Sequence, residues 1–324
     1  MLDLPLLFQP IVKTQVWGGD FLRSRAPDAP ATPCGESWEI TDHGADSSVI
    51  RNGPLAGRTL HAALSEVCGP AVDPASPGVF PLMLKIIDPK SDLSVQVHPD
   101  DAYASARKPG ELGKTEAWYV VEAAPGGRIY HGLRPGVTRE RFAAAIKDGT
   151  VAACLREVTV APGDVYYIPS GTVHALGGGV RILEIQQNSD TTYRVFDWNR
   201  VGLDGKPRAL HVDHALAVTD FSGRAPDAGA RDLPARGCHA RRAIASPKFN
   251  FDVLDGFTGV YEGDTAGKSF HIVTVASGRA TVATAAGQVA LDAYSSCLVP
   301  YAAGKYTVAP AGEPAALKAL VFSK

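Results

Sequence analysis

Apolar positions along this chain recur at every second residue or in short runs cut by Gly and Pro, the rhythm of β-strands separated by turns. Trp118 to Ala123 and Arg128 to Gly132 flank an Ala-Pro-Gly-Gly turn and predict a hairpin; Val165 to Ile168 and Val180 to Gln186 predict two more strands. Downstream, Ser269 to Val275, Arg279 to Ala283 and Ser296 to Val299 repeat the pattern, punctuated by Gly278, Gly287 and Gly304. Two stretches keep a helical period instead. Leu60, Ala63, Leu64 and Val67 share one face behind a capping Thr59, and Phe142, Ala145 and Ile146 follow Thr138 in a segment that Gly149 closes. The pattern predicts a mainly β fold: two jelly-roll barrels with a few short helices.

At 324 residues the chain exceeds what one hydrophobic core usually organises. Between about Phe221 and Pro247, Gly, Pro, Ala and Arg dominate without a clear period, which predicts a domain boundary and divides the chain into residues 1–235 and a smaller β domain over 236–324. The 32 Lys and Arg balance 34 Asp and Glu for a net charge of −2, so no overall field recruits nucleic acid or an anionic membrane, and an anion site has to be local. The cluster Arg231, Arg236, Arg241 and Arg242 has no interleaved aromatic platform and reads as solvated surface. Cys34, Cys68, Cys154, Cys238 and Cys297 are widely spaced, form no CxxC pair and read as reduced thiols. Met1 to Lys13 lacks the basic and apolar regions of an export leader, so a cytoplasmic location and no membrane partner are expected.

The chemistry gathers in a few segments. In Leu93-Ser-Val-Gln-Val-His98 the aliphatics face one way, while Ser94, Gln96 and His98 share the other face. A buried stripe of hydroxyl, amide and imidazole is costly unless each group is satisfied, as a metal ion and an anionic ligand would do; a strand with one solvent face is the plain alternative. Gly163-Asp-Val-Tyr-Tyr-Ile-Pro169-Ser-Gly171-Thr-Val-His174 is similar, over one hairpin, to the second cupin motif, which offers His174 as another imidazole. Glu116, ahead of the Trp118 strand, can add a carboxylate. Two imidazoles and a carboxylate suit catalytic zinc and equally non-haem iron. Leu291 to Thr307 echoes the cupin strand with Lys305 and Tyr306 in place of the histidine, so the second barrel is expected to be structural and metal-free. His211 and His214, three apart, read as a partly exposed helix turn.

Taken together, Ser94-Val-Gln96-Val-His98-Pro99, Lys114-Thr-Glu116, the strand ending in His174, and Glu184-Ile-Gln-Gln-Asn-Ser-Asp-Thr-Thr-Tyr-Arg194 resemble, in order, the motifs of type I mannose-6-phosphate isomerases. Trp17-Gly18 and Gly35-Glu-Ser-Trp-Glu39 resemble the shorter bacterial branch. The resemblance implies a metal-binding cupin domain in the first 235 residues and a cupin-like C-terminal domain. It implies one zinc ion per chain on Gln96, His98, Glu116 and His174, a catalytic Arg194, and phosphate contacts from Ser94 and Arg200. The implied reaction interconverts mannose 6-phosphate and fructose 6-phosphate, so the expected partner is a small phosphorylated sugar. Such proton transfer through an enediol(ate) needs a base, for which Glu184 and Lys114 are the candidates; Glu184 has a plainer reading as a partner of Arg194. Gly178 departs from the asparagine common in cupins, and the helical insertion of the larger enzymes is absent. A cupin iron dioxygenase or a metal-stabilised sugar-phosphate-binding regulator are the competing classes; neither needs Ser94, Lys114, Arg194 and Arg200 together.

Overall fold

Antiparallel pairing satisfies the alternating segments, and the computed structural model, which describes residues 3–25, 32–69, 78–224 and 226–324, is accordingly built from β-sheets with short helices. Two compact units account for the chain: Val12–Trp38 with Leu84–Pro226, and Met1–Ile11 with Glu39–Met83 and Asp227–Lys324. Each is thus assembled from separated stretches of sequence.

In the first unit a six-stranded sheet runs in the order Val165–Ile168, Glu116–Ala123, Val180–Gln187, Leu82–Ile87, Cys34–Ile40, Ile11–Gly19. A five-stranded sheet runs Leu155–Thr159, Arg128–Leu133, His174–Leu176, Val95–Val97, Tyr193–Phe196. Trp118, Val120 and Ile182 from the first sheet share a core with Ile129 and Leu176 from the second. The opposite face of the five-stranded sheet buries Val95, Val97, Ala175 and Val195 against Phe142, Ala145 and Ile146 of the Arg139–Asp148 helix. That helix carries the predicted caps: Thr138 Oγ1 accepts from Arg141 N–H at 3.3 Å, and Gly149 turns left-handed at φ 71°. Thr59 also accepts from Ala62 N–H, at 3.2 Å, ahead of a helical turn and the Leu64–Cys68 helix.

Four expectations need correction. The Trp118 and Arg128 strands form no hairpin: Gly127 N–H closes the turn on Ala124 O at 2.8 Å, but the strands enter different sheets, so Ala-Pro-Gly-Gly is a corner between layers. Local turn chemistry specifies the reversal and not the partner. The strands form open sheets and not closed barrels. The stretch from Phe221 to Pro247 contains strands Arg231–Leu233 and His239–Ala245, paired with each other. Within it Arg242 is committed to Asp252, which removes it from a solvated arginine cluster.

In the second unit a seven-stranded sheet and a four-stranded sheet enclose one core of Val273, Val282, Leu291, Val299, Tyr306 and Val321 among others. All five cysteines are free thiols, four of them buried. No helix among the described residues is long and apolar enough to cross a membrane.

Candidate active site

Across the five-stranded sheet, neighbouring strands set side chains in a row: His174 stands opposite both His131 and Gln96, and Gln96 opposite Arg194. Their alternate neighbours Ala175, Val95, Val97 and Val195 occupy the helix-side core, so Gln96 and His174 belong to the other face. In the six-stranded sheet Glu116 stands opposite Gln186, and Trp118 opposite Glu184. The Trp17-Gly18 and Cys34-Gly35 strands close one wall, and their glycines are steric necessities: a Cβ on Gly18 would lie 2.6 Å from Gly35 N, and one on Gly35 2.5 Å from the Trp17 ring.

His98, Glu116 and His174 converge, all buried, with their ligand atoms within 4.8 Å of one another. His174 Nε2 lies 3.1 Å from Glu116 Oε1 and His98 Nε2 lies 3.4 Å from Glu116 Oε2. Despite that proximity, His98 Nε2 and both Glu116 oxygens lack an aligned hydrogen bond. Each imidazole donates from its other nitrogen to a backbone carbonyl, His98 Nδ1 to Thr191 O at 3.0 Å and His174 Nδ1 to Thr172 O at 2.8 Å. A carbonyl can only accept, so Nδ1 carries the proton and each Nε2 turns a lone pair inward. Burial, and then the charge of Lys114, push the His98 pKa down to about 3, which keeps that ring neutral. Burial alone would raise the Glu116 carboxyl, but Lys114, His98 and His174 hold it well below the usual carboxylate range. Gln96 Nε2 lies 3.3 Å from His174 Nε2, and a half-turn of its amide presents the oxygen instead. Buried acceptors facing one point are costly, and although the Lys114 ammonium reaches one Glu116 oxygen from outside the cluster, a divalent cation is the partner that this donor set fits.

A cleft of about 170 Å³ beside the triad is lined by Ser94, Gln96, Lys114, Trp118, Glu184, Arg194 and Arg208 among others. Glu184 Oε2 accepts from Trp118 Nε1–H at 2.7 Å; Oε1 has no hydrogen bond and lies 3.7 Å from Lys85 Nζ. Burial, reinforced by the charge of Glu116, raises the Glu184 pKa. Lys114 Nζ is 3.0 Å from Glu116 Oε2. Arg194 donates from Nε to Ser94 Oγ at 3.2 Å and from a terminal nitrogen to Ala209 O at 3.0 Å; it forms no ion pair with Glu184, against the plainer reading of that carboxylate. Arg200 is held by Asp197 at 2.9 Å and by Asp92 O at 2.5 Å, and is not among the residues that line the cleft. His211 Nδ1 accepts from Arg194 N–H at 3.2 Å, and His214 stacks on Tyr193 at 4.9 Å, so that pair serves packing.

Two cleft residues carry no motif. Arg208 grips both oxygens of the Asp197 carboxylate, at 2.6 and 2.7 Å, sharing Oδ1 with Arg200, and it does line the cleft. Lys85 is 3% exposed, 3.4 Å from Glu36 Oε2; burial lowers its pKa, but Glu36 and Glu184 outweigh that and raise it. Its signal was a lone charge within the apolar Leu82–Ile87 strand, where an ammonium persists only if paired. Gly178, the departure from the cupin pattern, sits where a Cβ would lie 2.8 Å from Ser91 Cα, so the close backbone approach excludes asparagine.

Residues 6–119 match the family described as phosphomannose isomerase type I, catalytic domain. The chain is 44% identical over 216 residues to a probable mannose-6-phosphate isomerase, GmuF, of Bacillus subtilis, covering 66% of this chain and 68% of the relative. A mannose-6-phosphate isomerase of Streptococcus mutans is 36% identical over 300 residues, 91% of this chain and 92% of that one. The crystal structure of mannose 6-phosphate isomerase from Bacillus subtilis superposes with a TM-score of 0.88 at 31% identity, over 99% of both chains. The chain therefore belongs to the type I phosphomannose isomerase family, a family of aldose–ketose isomerases.

Proposed function

We propose that the chain interconverts mannose 6-phosphate and fructose 6-phosphate, with zinc as its metal, through an enediol(ate). The observation that carries this reading is the buried His98, Glu116 and His174 triad beside a cleft lined by Ser94, Glu184 and Arg194. The type I family is metal-dependent, and Gln96, His98, Glu116 and His174 would hold the ion. Nitrogen and oxygen donors without a thiolate suit zinc, and the isomerisation involves no net redox change that would call for iron. Bound there, zinc supplies Lewis acidity toward the sugar's carbonyl and hydroxyl oxygens.

The remaining chemistry belongs to the side chains. Glu184, its pKa raised and one oxygen fixed by Trp118, removes the proton from the carbon next to the carbonyl and returns it to the neighbouring carbon. Lys114 is the weaker candidate, because its ammonium is engaged with Glu116. Arg194 stabilises the oxyanion that develops during proton transfer. Ser94 and the Arg200–Asp197–Arg208 array hold the phosphate, with Arg208 the member that reaches the cleft. The test is turnover of mannose 6-phosphate by the purified chain, read as fructose 6-phosphate, before and after chelation. Loss on chelation and recovery with zinc are expected; undiminished turnover by demonstrably metal-free protein would reject the metal's role, and no turnover by zinc-loaded protein would reject the substrate.

A further inference from the structure

The catalytic cleft is not the roomiest concavity of its unit. A second cavity of about 460 Å³, within the range of small-molecule sites, lies between the end of the Arg128–Leu133 strand, the start of the Arg139–Asp148 helix, Arg156 and the Asp220–Arg224 segment. Four guanidinium groups line it: Arg134, Arg139, Arg156 and Arg224. Among the described residues none of the four makes an ion pair with a carboxylate. Asp220, the carboxylate in the lining, is used within its own turn, accepting from Ser222 N–H at 2.8 Å and Ser222 Oγ at 3.0 Å. All four are exposed to solvent, so their mutual repulsion is modest, but no carboxylate in the lining neutralises them and an anion entering the cavity meets a local positive field in a chain whose net charge is −2.

The forks are also pre-set. Arg156 donates to His131 O and to His131 Nδ1, both at 2.9 Å, and that ring is fixed in turn by donating from Nε2 to Tyr167 O at 3.0 Å. Arg134 donates from Nε to Leu155 O at 2.8 Å, and Arg139 lies 5.5 Å from the centre of the Phe221 ring. These anchors hold the stems and leave terminal N–H groups of Arg134, Arg139 and Arg156 for a ligand. Thr138, which caps the ten-residue helix, lies in the same wall, so the positive end of that helix adds to the field.

We propose that this cavity is a second anion site, separate from the catalytic cleft, that binds a small metabolite carrying two phosphate groups. Planar forks on several sides of one space match two tetrahedral oxyanions better than a single carboxylate. The proposal is tested by calorimetric titration of fructose 1,6-bisphosphate into the full zinc-loaded chain and into Arg139→Gln/Arg224→Gln. Both arginines are exposed, so the double variant should fold, which its thermal transition verifies. Expected is saturable binding that weakens at least tenfold in the variant, while kcat and KM for mannose 6-phosphate stay within twofold. Equal affinity in the two proteins, absence of saturable binding in the parent, or a loss matched by an equal rise in KM would overturn it. The last outcome would locate the anion in the catalytic cleft without touching the isomerase reading.

Discussion

In the catalytic unit the face of the five-stranded sheet that carries His174 and Gln96 keeps its polarity, and most of the buried side-chain polar atoms without hydrogen bonds among the described residues gather around it: His98 Nε2, both Glu116 oxygens, Glu184 Oε1 and Gln186 Oε1. In the other unit the corresponding stretch, Leu291 to Thr307, turns Tyr306 into the core at 2% exposure, where its hydroxyl pairs with His271 Nδ1 at 2.9 Å. Gly263 stands opposite Tyr306 in the ladder because any Cβ there would collide with the phenol ring. Thr274 and Ser296 likewise satisfy each other at 2.9 Å. Among the described residues, and with Thr41 Oγ1 as the exception in the second unit, the two β-sheet units therefore treat buried polarity in opposite ways: one pairs it off and fills the space, the other leaves acceptors facing one another. Unsatisfied polarity is costly, and it persists where a ligand completes it.

The largest effects should come from breaking the triad. His98→Ala and His174→Ala each remove an inward lone pair, and activity should fall by more than about 100-fold, beyond what loss of an outer hydrogen-bond partner costs a metal site. Elemental analysis should find the metal lost in both, while Tyr306→Ala, in the unit expected to bind none, retains one ion per chain. Full occupancy and turnover in both histidine variants would remove the metal assignment and with it the contrast between the units. Circular dichroism should show the histidine variants folded, since the apolar core that Val95, Val97, Ala175 and Val195 form on the opposite face of the sheet is untouched.

Within the catalytic unit the arginines should fail differently. Arg194→Ala should lower kcat by roughly 10²–10³ with metal retained, the effect of removing one preorganised charge stabiliser. Arg208→Ala should act mainly on KM, raising it on the order of tenfold or more, as loss of a charged hydrogen bond to a group held alike in ground and transition states does. Arg200→Ala should change KM less, because its guanidinium reaches the cleft only through Asp197. Near-normal kcat in Arg194→Ala would reduce that residue to a support for Ser94.

How much of this was legible follows from which interactions are local. The alternation in Leu93–His98 specified which side chains share a face, and the Thr138 and Gly149 caps sit where their side-chain and backbone preferences put them. His98, Glu116 and His174 were legible as candidates because their motifs name residue types that metal chemistry requires. Arg208 was not: it lies in a loop without a period, and only the fold brings it to Asp197 and the cleft. The corner at Ala124–Gly127 was misjudged for the same reason, since strand partnership is a non-local choice that a turn cannot specify. Arg156, read from sequence as nothing in particular, acquires its place only through His131 on a neighbouring strand.

The smallest expected effect probes the filled unit through pH. Burial pushes His271 down to about 4, with Asp264 opposing and the charge of Arg242 adding to the fall. An imidazole in the unfolded chain titrates near about 6.5. Between those values the unfolded state binds a proton that the folded state refuses, so stability falls as the pH drops through that window and the loss is complete below about 4. A gap of about two and a half pH units corresponds to about 3 kcal/mol. Burial raises the Tyr306 pKa well above its ordinary value, so the phenol stays protonated and donates to His271 Nδ1, favouring the neutral ring. Tyr306→Phe should therefore cost about 1–2 kcal/mol at pH 7 and also let His271 protonate at higher pH, making the acid loss shallower than in the parent. Urea unfolding at pH 7, 5.5 and 4 reads both effects at once, as curves that start apart and converge. Parallel curves would mean that Tyr306 does not set the protonation of His271, leaving burial, with the charge of Arg242, as the cause of its low pKa.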